Sequence, residues 1–451
     1  KKAHAILSHM ENMYTAGNKN VRPNTISYNS VMKSFLKSRQ GDIAQKIEGI
    51  LWHMEKLYES EESYLYLQPD IVTFGSVLEG WTLSNDANAV ERAEYILRHM
   101  EKKYLMIPNT YCFNAFIRTA TKHDKNPRRI NLILKRMEEL WRTGHHSSRC
   151  NTYTYNCVLN FFANTKQRGS AQKAEDILNH MEMLYKSGNS DVCPTVVSYS
   201  SVINAHAKCG SFDRAENILI RMQEEYANGN ADARPNTICF SAVLNAHAKS
   251  QGGRSAALRA EAILRRMNQY YQAGNVHLKP NAHCFNAVIN SWAKSNDPNS
   301  AKRCYEIFHN MQKLGVCPNA VTITTILNCC AYANPKNEEK AKEIFGIALS
   351  VFNKLKHSNK FGKPSNVTYA MFLKACACLL QSNKSERDNL VLETVLSCRK
   401  DGLFDDSVLK NFNHAASKVL RDNFIRRDYG EVVNIKDLPS DWSSNLPEKI
   451  L

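Results

Sequence analysis

The chain is poor in residues that interrupt helices. Its 451 residues hold only 18 glycines and 13 prolines, which argues against a loop-rich chain and for a mostly helical one. No run of about 18 apolar residues occurs, so a membrane-spanning helix is excluded. The 14 cysteines are scattered and never spaced Cys-x-x-Cys; Cys329-Cys330 and Cys376-x-Cys378 come nearest. That pattern fits neither a disulfide scaffold nor a paired zinc site. We read them as reduced thiols, mostly packed as small apolar residues. Acid is also short: 43 Asp and Glu face 59 Lys and Arg, leaving a net charge of +16. Such a surplus favours a polyanionic partner, nucleic acid before an acidic membrane surface. Hydrophobic residues still make up 43% of the chain, enough to bury a core and to exclude a fully disordered protein.

What is present is a repeat. A Pro-Asn/Asp step recurs at Pro23-Asn24, Pro69-Asp70, Pro108-Asn109, Pro235-Asn236, Pro280-Asn281 and Pro318-Asn319. Pro194-Thr195 and Pro364-Ser365 are weaker copies, and Cys150-Asn151 stands where one more is due. After each node comes one short phrase, such as Thr-Ile-Ser-Tyr-Asn at 25–29 or Thr-Tyr-Thr-Tyr-Asn at 152–156. An aromatic ring holds its fourth place except at Ile323. A helical run follows, with apolar residues three and four apart.

A second helix completes each unit. Ile47, Ile50, Leu51, Met54, Leu57 and Tyr58 form one apolar stripe, and Ala174, Ile177, Leu178, Met181 and Tyr185 another. A two-helix unit must bury one face against its neighbour, so these stripes are core. Glycine lies seven residues after the stripe's methionine at Met10/Gly17, Met137/Gly144, Met181/Gly188, Met222/Gly229 and Met267/Gly274, where it predicts a left-handed cap and then a loop. The expected fold is all-α: a right-handed α-solenoid, a superhelix of stacked antiparallel helix pairs touching only their neighbours. Residues 1–24 read as a partial repeat holding only a second helix. Nine units span 25–70, 71–109, 110–151, 152–195, 196–236, 237–281, 282–319, 320–365 and 366–406. A capping helix is expected over 407–424, with Val408, Leu409, Phe412, Ala415, Ala416, Val419 and Leu420 on one face, and an irregular tail over 425–451.

The node phrase, a helix, and then Ala-Glu-x-Ile-Leu-x-x-Met together resemble the pentatricopeptide repeat, over residues 1 to about 406. The units depart from the family in length, running 38 to 46 residues rather than about 35; the surplus follows the second helix. The resemblance implies a single-stranded RNA binder reading one base per repeat, with no cofactor, working as a monomer in a mitochondrion or plastid on RNA stability, processing or translation. Other RNA-processing or ribosomal proteins are its implied protein partners. Lys1–Leu7 already read as mid-helix and show no signal-peptide pattern, so any targeting peptide is expected ahead of them. The competing reading is a helical scaffold that binds protein within a ribonucleoprotein.

Carried over residue by residue, the family's base-selecting pairs are Asn29/Asp70, Gly75/Asn109, Asn114/Asn151, Asn156/Thr195, Ser200/Asn236, Ser241/Asn281, Asn286/Asn319, Thr324/Ser365 and Ala370/Asp406. The first member follows the aromatic; the second follows the next node's proline. Asn/Asp implies U, Ser/Asn implies A and Asn/Asn a pyrimidine, so the implied target is U-?-Y-?-A-A-Y-?-?. Small polar side chains can serve a base edge, but at a helix start they can equally be caps; both readings stand. The second place of each unit is expected to clamp bases: Ile26, Val72, Tyr111, Tyr153, Val197, Ile238, His283, Val321 and Val367. Tyr111 and Tyr153 are able to stack on them or simply to pack. Lys37, Lys122, Lys208, Lys249 and Lys294 share the thirteenth place, as phosphate contacts or as cations at a helix C-terminus.

No catalytic or metal site is expected. His-x-Glu occurs at His9, His53, His99 and His180, but without the Pro-Cys-x-x-Cys of a zinc deaminase. All four copies hold one place in the second helix and read as repeat structure. Phosphate-binding loops, nucleophile elbows and His-Glu-x-x-His helices are absent from the sequence.

Overall fold

The computed structural model describes residues 2–38, 42–60, 66–124, 126–165, 167–426 and 435–446. Among them there is no strand. The chain divides into two compact units, Lys1–Ala205 and His206–Leu451. The first holds α1 (Lys2–Thr15), α2 (Thr25–Ser38), α3 (Ile43–Ser60), α4 (Ile71–Leu83), α5 (Ala89–Tyr104), α6 (Thr110–His123), α7 (Pro127–Arg142), α8 (Thr152–Asn164) and α9 (Ser170–Lys186). The boundary falls inside α10 (Val196–Lys208). The second unit continues with α11 (Phe212–Ala227), α12 (Thr237–Lys249), α13 (Gly253–Gln272), α14 (Ala282–Ala293), α15 (Ser300–Lys313), α16 (Ala320–Ala331), α17 (Glu338–His357), α18 (Asn366–Leu379), α19 (Lys384–Lys400), α20 (Asp406–Ala415) and α21 (Lys418–Arg421).

Within each unit, helices next to one another in sequence pair, and first helices also pack on the next first helix. In the first unit α2, α4, α6 and α8 line up in this way; in the second, α12, α14, α16, α18 and α20 do. This is the α-solenoid arrangement of helix-pair repeats. The fourth-place residues are its core pins: Tyr28, Phe74, Phe113, Tyr155, Tyr199, Phe240, Phe285, Ile323 and Tyr369 are all buried. So are the methionines of the second helices, Met54, Met100, Met137, Met181, Met222, Met267 and Met311.

Each glycine after the second helices takes the expected left-handed cap; at Gly144 φ is +94°. His145 N–H then bonds back to Leu140 C=O, closing the helix end. The expected loop beyond is partly ordered. It forms a single 3₁₀ turn at Lys19–Val21, His146–Ser148, Ser190–Val192, Ala231–Ala233, Val276–Leu278 and Asn359–Phe361. The first residue of several units holds that turn. Thr110 Oγ1 donates to Ser147 and Arg149 C=O (3.0 and 2.7 Å), and Thr152 Oγ1 to Asp191 and Cys193 C=O (3.1 and 2.8 Å). Thr237 does the same to His277 and Lys279. The two short spans, 71–109 and 282–319, show no 3₁₀ turn; Val196 and Ala320 begin their spans without a hydroxyl, and there the turn forms without that bond.

The C-terminal end differs from expectation. The capping helix expected over 407–424 stops at Ala415: Ala416 is extended, and Ser417 starts α21, its Oγ accepting from Leu420 N–H at 3.2 Å. Ser417 N–H is held by Asp388 Oδ1 at 3.0 Å, which fixes the break. Val419 is consequently 70% exposed rather than on a buried face. The N-cap of α20 is Asp405, so the residue in register with Asp70 is Asp405, not Asp406. The expected irregular tail is anchored over 435–446. Trp442 is buried against Phe404 and Phe424, Phe404 N–H donates to Trp442 C=O at 2.8 Å, and Asn445 N–H to Gly402 C=O at 2.9 Å. Residues 427–434 and 447–451 of that tail lie outside the described residues.

Candidate nucleic-acid interface

The first helices present three recurring places. At the second, every side chain is exposed: Ile26 (73%), Val72, Tyr111 (52%), Tyr153 (50%), Val197, Ile238, His283, Val321 and Val367. Apolar side chains left in water at one register of successive helices form a ready contact surface.

The last-place residues all begin a first helix, and most visibly cap it. Asp70, Asn109, Asn151, Asn236, Asn281, Asn319 and Ser365 each accept from backbone N–H groups two or three residues on. Capping does not remove them from the site. Asn29 Nδ2 donates to Asp70 Oδ1 at 3.1 Å, Asn156 Nδ2 to Thr195 Oγ1 at 3.5 Å, and Asn286 Nδ2 to Asn319 Oδ1 at 3.3 Å. Those three expected pairs meet side chain to side chain.

The other places behave differently. Ser200 and Ser241 turn back to their own helices, donating to Val197 and Ile238 C=O. Thr324 donates to Ala320 C=O and meets Thr368 at 2.9 Å, not Ser365. Asn114 is buried, and its Oδ1 has no hydrogen-bond partner. Gly75 offers no side chain. A Cβ there would come within 2.9 Å of the Tyr111 ring, so Tyr111 fills the space a selecting side chain would need.

The lysine register is structurally employed. Lys122 Nζ donates to the C=O groups of Thr82 and Ser84 (3.3 and 2.6 Å), at the end of α4, and Lys294 Nζ to Ala248 C=O (2.9 Å), at the end of α12. A cation at the negative end of the preceding first helix is favourable. Lys37, Lys208 and Lys249 stand in the last turns of their helices.

Charge separates the two helix sets. The first helices of the nine spans carry Lys33, Lys37, Arg118, Lys122, Lys208, Lys249 and Lys374, and a single acid, Glu79. Arg118 pairs with Glu79 at 3.1 Å. The surface bearing the exposed second places therefore has almost no unpaired negative charge to repel a polyanion.

The third-place cysteines pack inside the repeats. Burial pushes the Cys112 and Cys239 thiols up to about 11 and raises Cys284 as well, so these cysteines are protonated packing residues. Among the described residues no cluster of three or more His, Cys, Asp or Glu could hold a metal. The structure also separates the partners within His-x-Glu. His53 pairs with Glu11, His99 with Glu55 and His180 with Glu138, each time reaching back to the preceding second helix (3.1, 2.7 and 3.4 Å). Sequence reasoning missed this ladder, although the constant spacing of His-x-Glu signalled it. It also missed the first-place threonines and the Arg118–Glu79 pair.

The fold and its surface thus define a helix-pair repeat protein whose first helices offer a basic, apolar-studded row. Family models agree. The PPR repeat matches residues 197–226, the PPR repeat family residues 280–331, and the pentatricopeptide repeat domain residues 306–378. The chain thus carries pentatricopeptide repeats over residues 197–226 and 280–378. No curated protein matches it. Among solved structures it is similar to the pentatricopeptide repeat protein PPR10 from maize, at 17% identity and a TM-score of 0.45, over 95% of this chain and 62% of that one. It is also similar to PPR10 in complex with an 18-nt psaJ RNA element, at 16% identity and a TM-score of 0.39, over 97% of this chain and 57% of that one. The chain thus spans about three-fifths of the length of these proteins.

Proposed function

We propose that the protein binds single-stranded RNA along its first helices, one base per repeat. The nine repeats in this reading are the spans from 25–70 to 366–406. The observation that carries it is the coincidence, on the same helices, of exposed second-place side chains with hydrogen-bonded polar pairs three residues further on and almost no acid. Second-place side chains sandwich a base by its faces, which any base allows. The fifth-place and last-place pair then meets its edge, where donors and acceptors differ between bases. The five register lysines neutralise phosphates. By the family resemblance, the site of action is a mitochondrial or plastid transcript, and the outcome is its stabilisation, processing or translation.

The test is binding to a labelled random RNA pool, with the bound sequences read out. Enrichment of a single-stranded motif whose U, Y and A places follow Asn29/Asp70, Asn286/Asn319 and Ser241/Asn281 supports the reading. Binding without sequence enrichment removes the base code. No binding, with a protein partner recovered instead, replaces the reading by the scaffold.

A further inference from the structure

Resting on this RNA reading, we propose that the hydroxyl at the third place of a repeat is a positioning residue for the base-selecting side chain of the repeat before it. The sequence pairs the two places consistently. Asn29, Asn114, Asn156 and Asn286 at the fifth place are followed, one repeat later, by Thr73, Thr154, Ser198 and Thr322 at the third. Gly75, Ser200 and Ser241 are followed by Cys112, Cys239 and Cys284. Asparagine goes with a hydroxyl, and glycine or serine goes with a thiol; Thr324 is also followed by a hydroxyl, that of Thr368.

The geometry supplies the reason. Thr73 Oγ1 lies 2.9 Å from Asn29 Oδ1, Ser198 Oγ 2.6 Å from Asn156 Oδ1, and Thr322 Oγ1 2.7 Å from Asn286 Oδ1. Thr73 and Thr322 also lie 2.8 and 3.1 Å from the Oδ1 of Asp70 and Asn319, so each shares its one hydroxyl proton between two oxygens. All three donors are fully buried, so water cannot replace the bond. In each case the amide nitrogen faces the last-place residue, Asp70, Thr195 or Asn319. Flipping the amide would set nitrogen against the hydroxyl and oxygen against the Asp70 or Asn319 oxygen. With Oδ1 engaged and one N–H spent on the last-place residue, one N–H remains. The side chain is thereby held as a donor, which suits the carbonyl oxygens of a pyrimidine. A thiol is too weak a donor to do this. Beside Gly75, where Cys112 Sγ lies 4.0 Å from the Cβ position, there is no amide to orient. Thr154 is the exception: it reaches the Oδ1 of Asn151 alone, and Asn114 Oδ1 stays without a hydrogen bond.

The test uses the full chain and Thr73→Val, Thr322→Val and the matching serine variants, each with base preference read at every place of the bound RNA. We expect pyrimidine selection at the place of the altered repeat alone to fall about tenfold in each valine variant. Serine restores it. A valine variant that keeps the parent's preference, or that weakens all sequences equally, overturns the proposal and leaves these hydroxyls as helix caps. Melting curves identify a variant that fails to fold, and the other position then decides. If the parent itself binds no RNA, the functional reading falls first and this inference with it.

Discussion

Glu11 Oε1 on α1 lies 3.1 Å from His53 Nε2 on α3, and the hydroxyl of Tyr28, on α2 between them, donates to the same oxygen. One carboxylate thus ties three consecutive helices. Its hydrogen bond and charge raise the His53 pKa above the ordinary 6.5, against partial burial and Lys56. Burial pushes the Glu11 carboxyl up, but the bonds from His53 and Tyr28 and the charges of His53 and His4 together hold it below 4.5. The histidine contribution is therefore complete below its unfolded value and lost as pH rises through its raised folded value. The glutamate contribution is present above its unfolded value and lost as pH falls through its depressed one.

Docking of α1 should accordingly weaken as pH rises above the ordinary histidine value of about 6.5 and through the raised folded one. Proteolytic release of the first 24 residues, followed against pH, measures it. His53→Gln should flatten the profile. Because His53 is about half exposed, the dependence should be modest and shrink further in high salt.

The five register lysines connect stability to RNA binding. Changing Lys37, Lys122, Lys208, Lys249 and Lys294 to Gln should lower the slope of log K against log salt by roughly 3.5, at about 0.7 per phosphate on a single strand. Loss of the helix-end bonds at Lys122 and Lys294 should also cost about 0.3–1 kcal/mol each in thermal unfolding. An unchanged salt slope with lowered stability would mean these lysines serve only the helix ends.

Asn281→Asp should shift preference at the place of repeat 237–281 from A toward G. Asparagine both donates to and accepts from an adenine edge, whereas a carboxylate only accepts, which suits the N–H groups of guanine. The discrimination is expected to be about 1–3 kcal/mol. Asn281 Oδ1 caps α14 by accepting from Cys284 N–H at 3.1 Å, and aspartate caps equally well. Melting should therefore stay near that of the parent while the bound sequence changes. An unchanged bound sequence would leave Asn281 as a cap alone.

Trp442→Ala should destabilise the last helices by about 3–5 kcal/mol. Its ring fills the space between Phe404 and Phe424, with the Arg399 guanidinium 4.5 Å from its centroid. Chemical denaturation and protease sensitivity near Gly402 read the effect. A variant as stable as the parent would show that the 435–446 segment merely lies on α19 and α20.

The sequence by itself determined the repeat. The spacing of Pro-Asn nodes, the buried fourth-place ring and the glycine after each second helix are local signals, because capping, helix period and left-handed termination depend on residues a few places apart. The exposed row at Ile26 through Val367 was legible for the same reason, since place within a helix sets its face. The tertiary structure decided what depends on residues some forty positions apart. Only packing of one first helix on the next shows that Asn29 meets Asp70 and Thr73, that Ser241 turns away from Asn281, and that Tyr111 fills the space beside Gly75. It also decided that His53 serves Glu11 instead of its own repeat's Glu55, and that Lys122 caps α4. At the C-terminus, no local pattern distinguishes a helix running to 424 from one broken at Ala416. The distant Asp388 and the pocket that receives Trp442 make that choice. Hydrogen bonds and ring contacts of that range depend on distance and angle, and a linear pattern of residue types carries neither.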